Sequence, residues 1–370
     1  MAAAFDPINN PEGCHLIAVE VASRKLCLLY FIASTKTSTI PGISVAGATP
    51  EKTLWTPALD VEYLVLGMPR SAKEIPVTPE GLPTPAVITR AAASLLDDPL
   101  MVVDAGSFID PRIPHIDLPS KTVGGRIDIE PALPKGRSRE LFEDAKLLAS
   151  MALPRSCAVL VGESMPGGTT TAMAIMEALG YRARDKVSSA SPANPLELKW
   201  KVVSKALERA RGLENVFDVL DEVGDPLHVS IAGFVAGAVE KGCVTVLAGG
   251  TQMCAVLAIL KRLGVEYRGK LAIWTTRWIV KDKQSDILGL VREIDPSVPL
   301  AAARISFERS EFEGLRMYEK GYVKEGVGAG GTAIAAMVRM GVDEESLVKV
   351  IEREYRRLLE AKVVEDKGAQ

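Results

Sequence analysis

The sequence predicts an α/β fold, a mostly parallel, Rossmann-like sheet flanked by helices. Two observations carry that expectation. Strand-length apolar runs alternate with longer stretches of helical spacing along most of the 370 residues. In addition, the triplet Gly-Gly-Thr precedes a helix-like stretch three times: Gly167-Gly168-Thr169 after the apolar run 157–161, Gly249-Gly250-Thr251 after 244–247, and Gly330-Gly331-Thr332 after Glu325. A strand that turns through glycines into a helix leaves unpaired backbone N–H groups at the turn, which suits an anion and above all a phosphate. Glycine is also needed wherever helix packs close on strand, and that requirement accounts for any single copy equally well. It does not account for Glu325, a carboxylate set inside the third loop among N–H donors. In a parallel sheet all three turns fall on the carboxyl edge, where such folds bind their ligands.

Taken in order, residues 16–33 are rich in apolar and β-forming types and read as two short strands around Ser23-Arg24-Lys25, with Cys14-His15 as the entry to the first. A hydroxyl-rich loop follows at 37–44. Residues 63–68 read as a strand, and 69–85, with its prolines, as an irregular surface connection. Thr84-Pro85 opens a helix to about residue 96, because proline at the first helical position loses no hydrogen bond. Residues 101–104 form a buried strand, and 110–136 a long loop of the kind that is functional or mobile, a candidate lid. An amphipathic helix spans 138–151, and further helices span 196–211 and 229–240, the latter with small residues for close packing. Strands are expected at 271–274 and 301–307. The third glycine loop and its helix follow, then an Asp343-capped helix to about residue 362 and a frayed tail.

Composition narrows the function. With 44 basic against 47 acidic residues and no block of like charge, the chain has no footprint for nucleic acid and no membrane-binding face. Small molecules are the expected partners. Five widely spaced cysteines, mostly in apolar runs, read as buried reduced thiols rather than a disulfide framework. His15, His115 and His228 have no partner at ligand spacing, so no metal site is expected. The N-terminus lacks the basic start and apolar stretch of a signal peptide, which points to the cytoplasm. Residues 243–260 are apolar enough to span a membrane, but Gly249-Gly250-Thr251-Gln252 cuts them into a strand and a helix.

The run from Gly162 to Thr169 has the glycine spacing of a P-loop, yet Gly168 stands where its lysine belongs. That lysine neutralises the terminal phosphates of a nucleoside triphosphate, so an NTPase is disfavoured while a monophosphate is still accommodated. Glu163 would be repelled by a dianionic phosphate. It suits a ribose hydroxyl or a polar ligand edge, and equally a role accepting backbone N–H bonds to shape the loop.

Four segments, 162–171, 229–238, 244–252 and 324–331, resemble nicotinate-nucleotide:dimethylbenzimidazole phosphoribosyltransferase in order and spacing, and in particular its archaeal branch. The resemblance runs from the loop at 37–44 to the last helices. It implies a unit over residues 10–365, with a large α/β domain at about 60–340 and a small helical part drawn from both chain ends, assembled as a homodimer. It implies transfer of the phosphoribosyl group of nicotinate mononucleotide to a benzimidazole-type or purine base, without a cofactor, giving α-ribazole phosphate for cobamide assembly. Glu325 would be the general base. Glu163, Gly167, Gly168 and Thr169 would lie in the nucleotide loop, with Gly250, Gly326, Gly328 and Gly330 in the other glycine turns. Lys199 would contact the phosphate, a role that Lys201 fits nearly as well, and Ser310 and Gly314 would lie near the nicotinate.

Three positions depart from the bacterial pattern: Val327 replaces a threonine, Leu315 a histidine and Ala248 an aspartate. They leave the base in place and bear on the nucleotide contacts. A nucleotide-binding homologue with altered substrate or no turnover is therefore the alternative. A pyrophosphate-dependent transferase would need a pair of acids after a strand, of which Asp104-Ala105-Gly106 supplies half.

Overall fold

The computed structural model describes residues 4–47, 49–72 and 82–368, with side chains to residue 361. Among these residues eight strands form one sheet: β1 (Phe5–Asn9), β2 (Leu26–Ala33), β3 (Leu100–Gly106), β4 (Ile116–Asp117), β5 (Ala158–Ser164), β6 (Val244–Ala248), β7 (Leu271–Thr276) and β8 (Leu300–Ala303). Their spatial order is β1-β8-β7-β6-β5-β2-β3-β4, parallel throughout except for β1 against β8. Helices cover both faces, so the strands are apolar on both sides. In β2 all eight residues are buried. Cys27, Leu29, Phe31 and Ala33 pack into the core under the helices Arg137–Ala152, Pro226–Glu240 and Gln252–Arg262. Leu26, Leu28, Tyr30 and Ile32 pack into the core under Pro11–Ser23, Ala86–Ala93 and Ala329–Met340. This is the near-continuous hydrophobic pattern that a doubly covered parallel sheet demands.

The sheet grows in one direction from β2 through β3 and in the other through β5. The topological switch point lies between β2 and β5, and a crevice opens there beyond the carboxyl ends. The first glycine loop sits at that crevice: a Cβ on Gly167 would come within 3.0 Å of Ser38 Cα in the loop that follows β2.

The α/β class, the parallel sheet and most of the element order are as the sequence predicts. Two readings need correction. Residues 16–23 belong to the helix Pro11–Ser23, not to a strand, and Cys14-His15 lies within it. Asn10 caps this helix by accepting from the Gly13 N–H at 3.1 Å, and Cys14, Ile17, Ala18 and Val21 recur at helical spacing on its buried side. Residues 63–66 end the helix Thr56–Leu66, which stops at Gly67 with φ 81°. In both places β-favouring composition was outweighed by the helical period and by capping.

The N-terminal residues are also not confined to a helical part, since β1 and β2 lie in the sheet and β2 is one of its central strands. Arg90 and Tyr63 both bond Glu354 of the helix Glu344–Gly368, at 3.0 and 2.8 Å. Segment 110–136 carries the short β4 and buries Ile113, Leu118, Ile127, Ala132 and Leu133, which anchors it against the sheet. Part of the proline-rich connection, residues 73–81, lies outside the described residues.

Candidate active site

Three loops converge at the carboxyl edge. Glu163 and Ser164 end β5 and lead into Gly167 and the helix Gly168–Ala178. Gly249 and Gly250 link β6 to the helix Gln252–Arg262. The third loop follows no strand; it crosses over the ends of the other two, with the Val327 N–H bonding the Glu163 carbonyl at 2.9 Å. Close glycine contacts lock the crossing. An added Cβ on Gly328 would meet Gly162 Cα at 3.1 Å, and one on Gly330 would fall 2.1 Å from the Thr275 carbonyl carbon.

Glu325 sits in a cradle of donors. Its Oε2 accepts from the Thr276 N–H at 2.8 Å and the Thr275 hydroxyl at 3.4 Å, and its Oε1 from the Gly326 and Gly330 N–H groups, both at 3.2 Å. The side chain keeps partial access to solvent. Burial pushes its carboxyl up to about 7 against the pull of those donors, the range of a general base working near neutral pH. The flanking backbone is strained: Val323, Lys324 and Val327 have φ of 64°, 60° and 50°, a region costly for side-chain-bearing residues and above all for β-branched ones. Three such residues within five positions mark the loop as held by its surroundings. Lys324, almost fully buried, ties it down through Asp282 at 2.8 Å and the Ser191 carbonyl at 3.3 Å.

Glu163 is buried, with Oε1 accepting from Gln252 Nε2 at 3.1 Å and Oε2 without a hydrogen-bond partner among the described residues. Burial raises its carboxyl well above the usual range, reinforced by the nearby charges of Glu325, Asp60 and Asp225. Both causes bias the carboxyl toward its protonated form. Asp60, pushed up to about 6 by burial, accepts from Ser164 and Thr84 at 2.8 and 2.9 Å. Lys199 is fully buried and donates to the Ser188 carbonyl at 2.6 Å, while the Ser188 hydroxyl pairs with Thr251 beside Gly250 at 3.0 Å. Desolvation and the neighbouring Lys324 bring its ammonium down to about 7. Lys201, by contrast, is exposed.

The structure thus gathers Glu163, Gly167, Gly168, Thr169, Gly250, Glu325, Gly326, Gly328 and Gly330 at one edge, with Lys199 behind the second loop. The Gly326 and Gly330 N–H groups are spent on Glu325 and hold the carboxylate in place. Ser310 and Gly314 make other contacts: the Ser310 hydroxyl donates to Glu352 of the C-terminal helix at 2.6 Å, and Gly314 is buried in a short helix. The three departures have packing roles. Leu315 is fully buried, Ala248 presses against Gly331, where an added Cβ would meet it at 2.3 Å, and the Val327 carbonyl accepts from Thr89 at 2.8 Å.

Sequence reasoning passed over Asp60, Gln252, Thr275 and Thr276 as site residues. The last two follow directly on a predicted strand, and that position was the available signal. It also passed over the buried pair His228–Asp225, in contact at 2.5 Å, with His228 Nε2 unpartnered among the described residues. Among the described residues one trio could hold a metal, Asp104, His115 and Asp117. The Lys121 ammonium already lies 3.2 and 2.7 Å from its two carboxylates. A cavity of about 570 Å³ near Lys36, Glu130 and Asp221 includes none of the glycine loops.

A doubly wound parallel sheet with a cradled carboxylate and glycine turns at its switch point defines an α/β protein that handles its ligand beyond the carboxyl ends of the strands. The chain belongs to the phosphoribosyltransferase family, whose model matches residues 86–271. A UPF0284 protein of Aeropyrum pernix is 52% identical over 94% of this chain and 97% of its own length. One of Pyrococcus furiosus is 48% identical over 90% and 99%. The fold is that of CobT from Thermus thermophilus, with TM-score 0.61 and 17% identity over 93% of this chain and 92% of that one. A second structure, a nicotinate-nucleotide-dimethylbenzimidazole phosphoribosyltransferase of the same organism, gives 0.60 and 15% over 90% and 91%. Among the described residues no helix is long and apolar enough to cross a membrane.

Proposed function

We propose that the chain moves the phosphoribosyl group of nicotinate mononucleotide onto a benzimidazole-type or purine base, giving an α-linked nucleotide and nicotinate, as a homodimer and as a step in cobamide assembly. The observation that carries this is Glu325, a carboxylate with a raised pKa held by three backbone N–H groups where the glycine loops meet. Nicotinate in the donor is a cationic pyridinium, so it takes the bonding electron pair and leaves without protonation. The acceptor nitrogen attacks the anomeric carbon from the opposite face, and the proton on its other ring nitrogen passes to Glu325. Such assistance is worth roughly 10²–10⁴-fold, and alignment of the two rings supplies more. Glu163 fits the same scheme, since burial and the neighbouring acids bias it toward the protonated form, which repels the phosphate less and can donate to a ligand oxygen. Lys199 regains a full charge when a dianion approaches.

The test is incubation with nicotinate mononucleotide and a panel of benzimidazoles and purines, with the product's anomeric configuration read by NMR. An α-linked nucleotide is expected; a β-linked product, or transfer only from a pyrophosphate donor, overturns the assignment. A second reading, a nucleotide-binding homologue with another substrate or no turnover, draws on the apolar packing of Ala248 and Leu315. It predicts calorimetric binding of the mononucleotide with no base converted.

A further inference from the structure

At the opposite, amino-terminal edge of the sheet, three cysteines line up on one face. Cys27 is the second residue of β2, and Cys157 and Cys243 immediately precede β5 and β6. The register pairs Ala158 with Val244, and the Val244 N–H bonds the Cys157 carbonyl at 3.0 Å. Cys157 and Cys243 are therefore directly opposed on adjacent parallel strands. Neighbouring strands lie about 4.8 Å apart, inside the Cα separation that a disulfide spans. The two sulfurs are 3.1 Å apart, closer than ordinary van der Waals contact, and both side chains are buried.

The surroundings favour a thiolate on one of the pair. Arg24 donates to the carbonyls of Ser156 and Gly242, the residues just before each cysteine, at 3.3 and 3.1 Å, and Lys241 is two positions from Cys243. The Cys157 hydrogen bond, helped by Lys241 and Arg24, pulls the Cys243 thiol below its usual range and leaves Cys157 as the proton-bearing partner. Electropositive settings of this kind set cysteine reactivity.

We propose that Cys157 and Cys243 are a disulfide-forming site, oxidised by a disulfide compound. The Cys243 thiolate attacks one sulfur of the reagent, whose S–S bond breaks and releases a thiolate that takes up the Cys157 proton. Cys157 then attacks the Cys243 sulfur of the mixed disulfide and expels the second half of the reagent. Two protein thiols are oxidised and one disulfide is reduced to two thiols. Because the bridge staples the starts of β5 and β6 and closes the chain between residues 157 and 243, it raises the thermal midpoint by about 5 °C. It lies at the edge opposite Glu325, so turnover and ligand binding are unaffected.

The experiment uses the full chain, purified under reductant and then refolded with glutathione disulfide or without it, denatured, alkylated and analysed by mass spectrometry. Five alkylated thiols are expected in the reduced sample and three in the oxidised one, with a cross-link between Cys157 and Cys243. The Cys254→Ser variant keeps the bridge and removes ambiguity, since Cys254 follows Cys243 closely in the chain. Five thiols in the oxidised sample, a bridge to Cys27, or glutathione left on Cys243 of the unsubstituted chain would each overturn the proposal. The count on the unsubstituted chain decides the matter whether or not Cys254→Ser folds.

Discussion

At the scale of single residues, Glu325 carries the sharpest expectation. Glu325→Gln keeps a group that can accept from the Thr276 and Gly330 N–H donors but cannot take a proton, so the fold should persist while turnover falls by roughly 10²–10⁴-fold. In the unsubstituted protein kcat/KM should rise with pH through about 7 as the carboxylate is freed, and this limb should vanish from the residual activity of the variant. Steady-state kinetics between pH 5.5 and 8.5 check both, and near-normal turnover in a folded Gln variant removes Glu325 as the base. This residue was legible in the sequence because a lone acid in a glycine-rich turn has few structural uses. Asp60 was not, because its role depends on Ser164 and Thr84, which come beside it only through the fold. The state of Glu163 was equally hidden. Its charge is set by burial and by three other acids that approach from separate segments.

At the scale of elements, the three glycine turns turn out to do different work. The first shapes the crevice at the switch point, the second abuts Glu325, with an added Gly250 Cβ lying 3.7 Å from its Cγ, and the third docks its helix against the ends of β6 and β7. The triplet repeat was plain in the sequence, but this division was not, since it follows from which backbone each glycine meets. Gly330→Ala tests the docking role: its Cβ would fall 2.1 Å from the Thr275 carbonyl carbon, and backbone cannot yield as a side-chain tip does. The variant should lose roughly 1–3 kcal/mol of stability and also the Glu325 cradle, seen as a lower denaturation midpoint with impaired turnover. An unchanged midpoint would mean the helix is seated more loosely than its contacts indicate. The elements themselves were best read where period and punctuation agreed, as in the helices Arg137–Ala152 and Pro226–Glu240. They were misread at 16–23 and 63–66, where β-branched and aromatic residues serve the buried faces of helices. β1 was missed because its Phe-Asp-Pro-Ile-Asn sequence has little strand character and pairs only through β8, nearly 300 residues away.

At the scale of the whole molecule, the proposed chemistry and the distribution of buried charge each make a demand. A monophosphate donor with a cationic leaving group concentrates no charge on polyphosphate oxygens, so turnover in excess chelator should equal that with added magnesium; loss in chelator and rescue by magnesium would point to a polyphosphate donor. The buried charges set how stability varies with pH. The folded carboxyls of Asp60 and Glu325 titrate at about 6 and 7, above their unfolded values, so the stability linked to their protonated forms is complete below about pH 4 and is lost as pH rises through 6 and 7. Lys199 acts in the opposite direction. Its folded ammonium titrates at about 7 against an ordinary value of 10.5, so between those limits the unfolded chain binds more protons and stability climbs with pH. Below pH 4 the carboxylates held low by their partners, Asp295 at about 2 and also Glu62 and Glu354, give up their contribution. The thermal midpoint should therefore peak near pH 5, dip near pH 7 and recover toward pH 9, with each limb amounting to roughly 2–3 kcal/mol. Differential scanning calorimetry across that range reads the profile. Glu325→Gln should flatten the descending limb and Lys199→Met the ascending one, because an isosteric apolar residue removes a buried ammonium that shares Asp282 with Lys324. A midpoint that rose steadily from pH 5 to 7 would show that Asp60 and Glu325 are ionised in the folded protein, and would take away the raised pKa on which the base role of Glu325 depends.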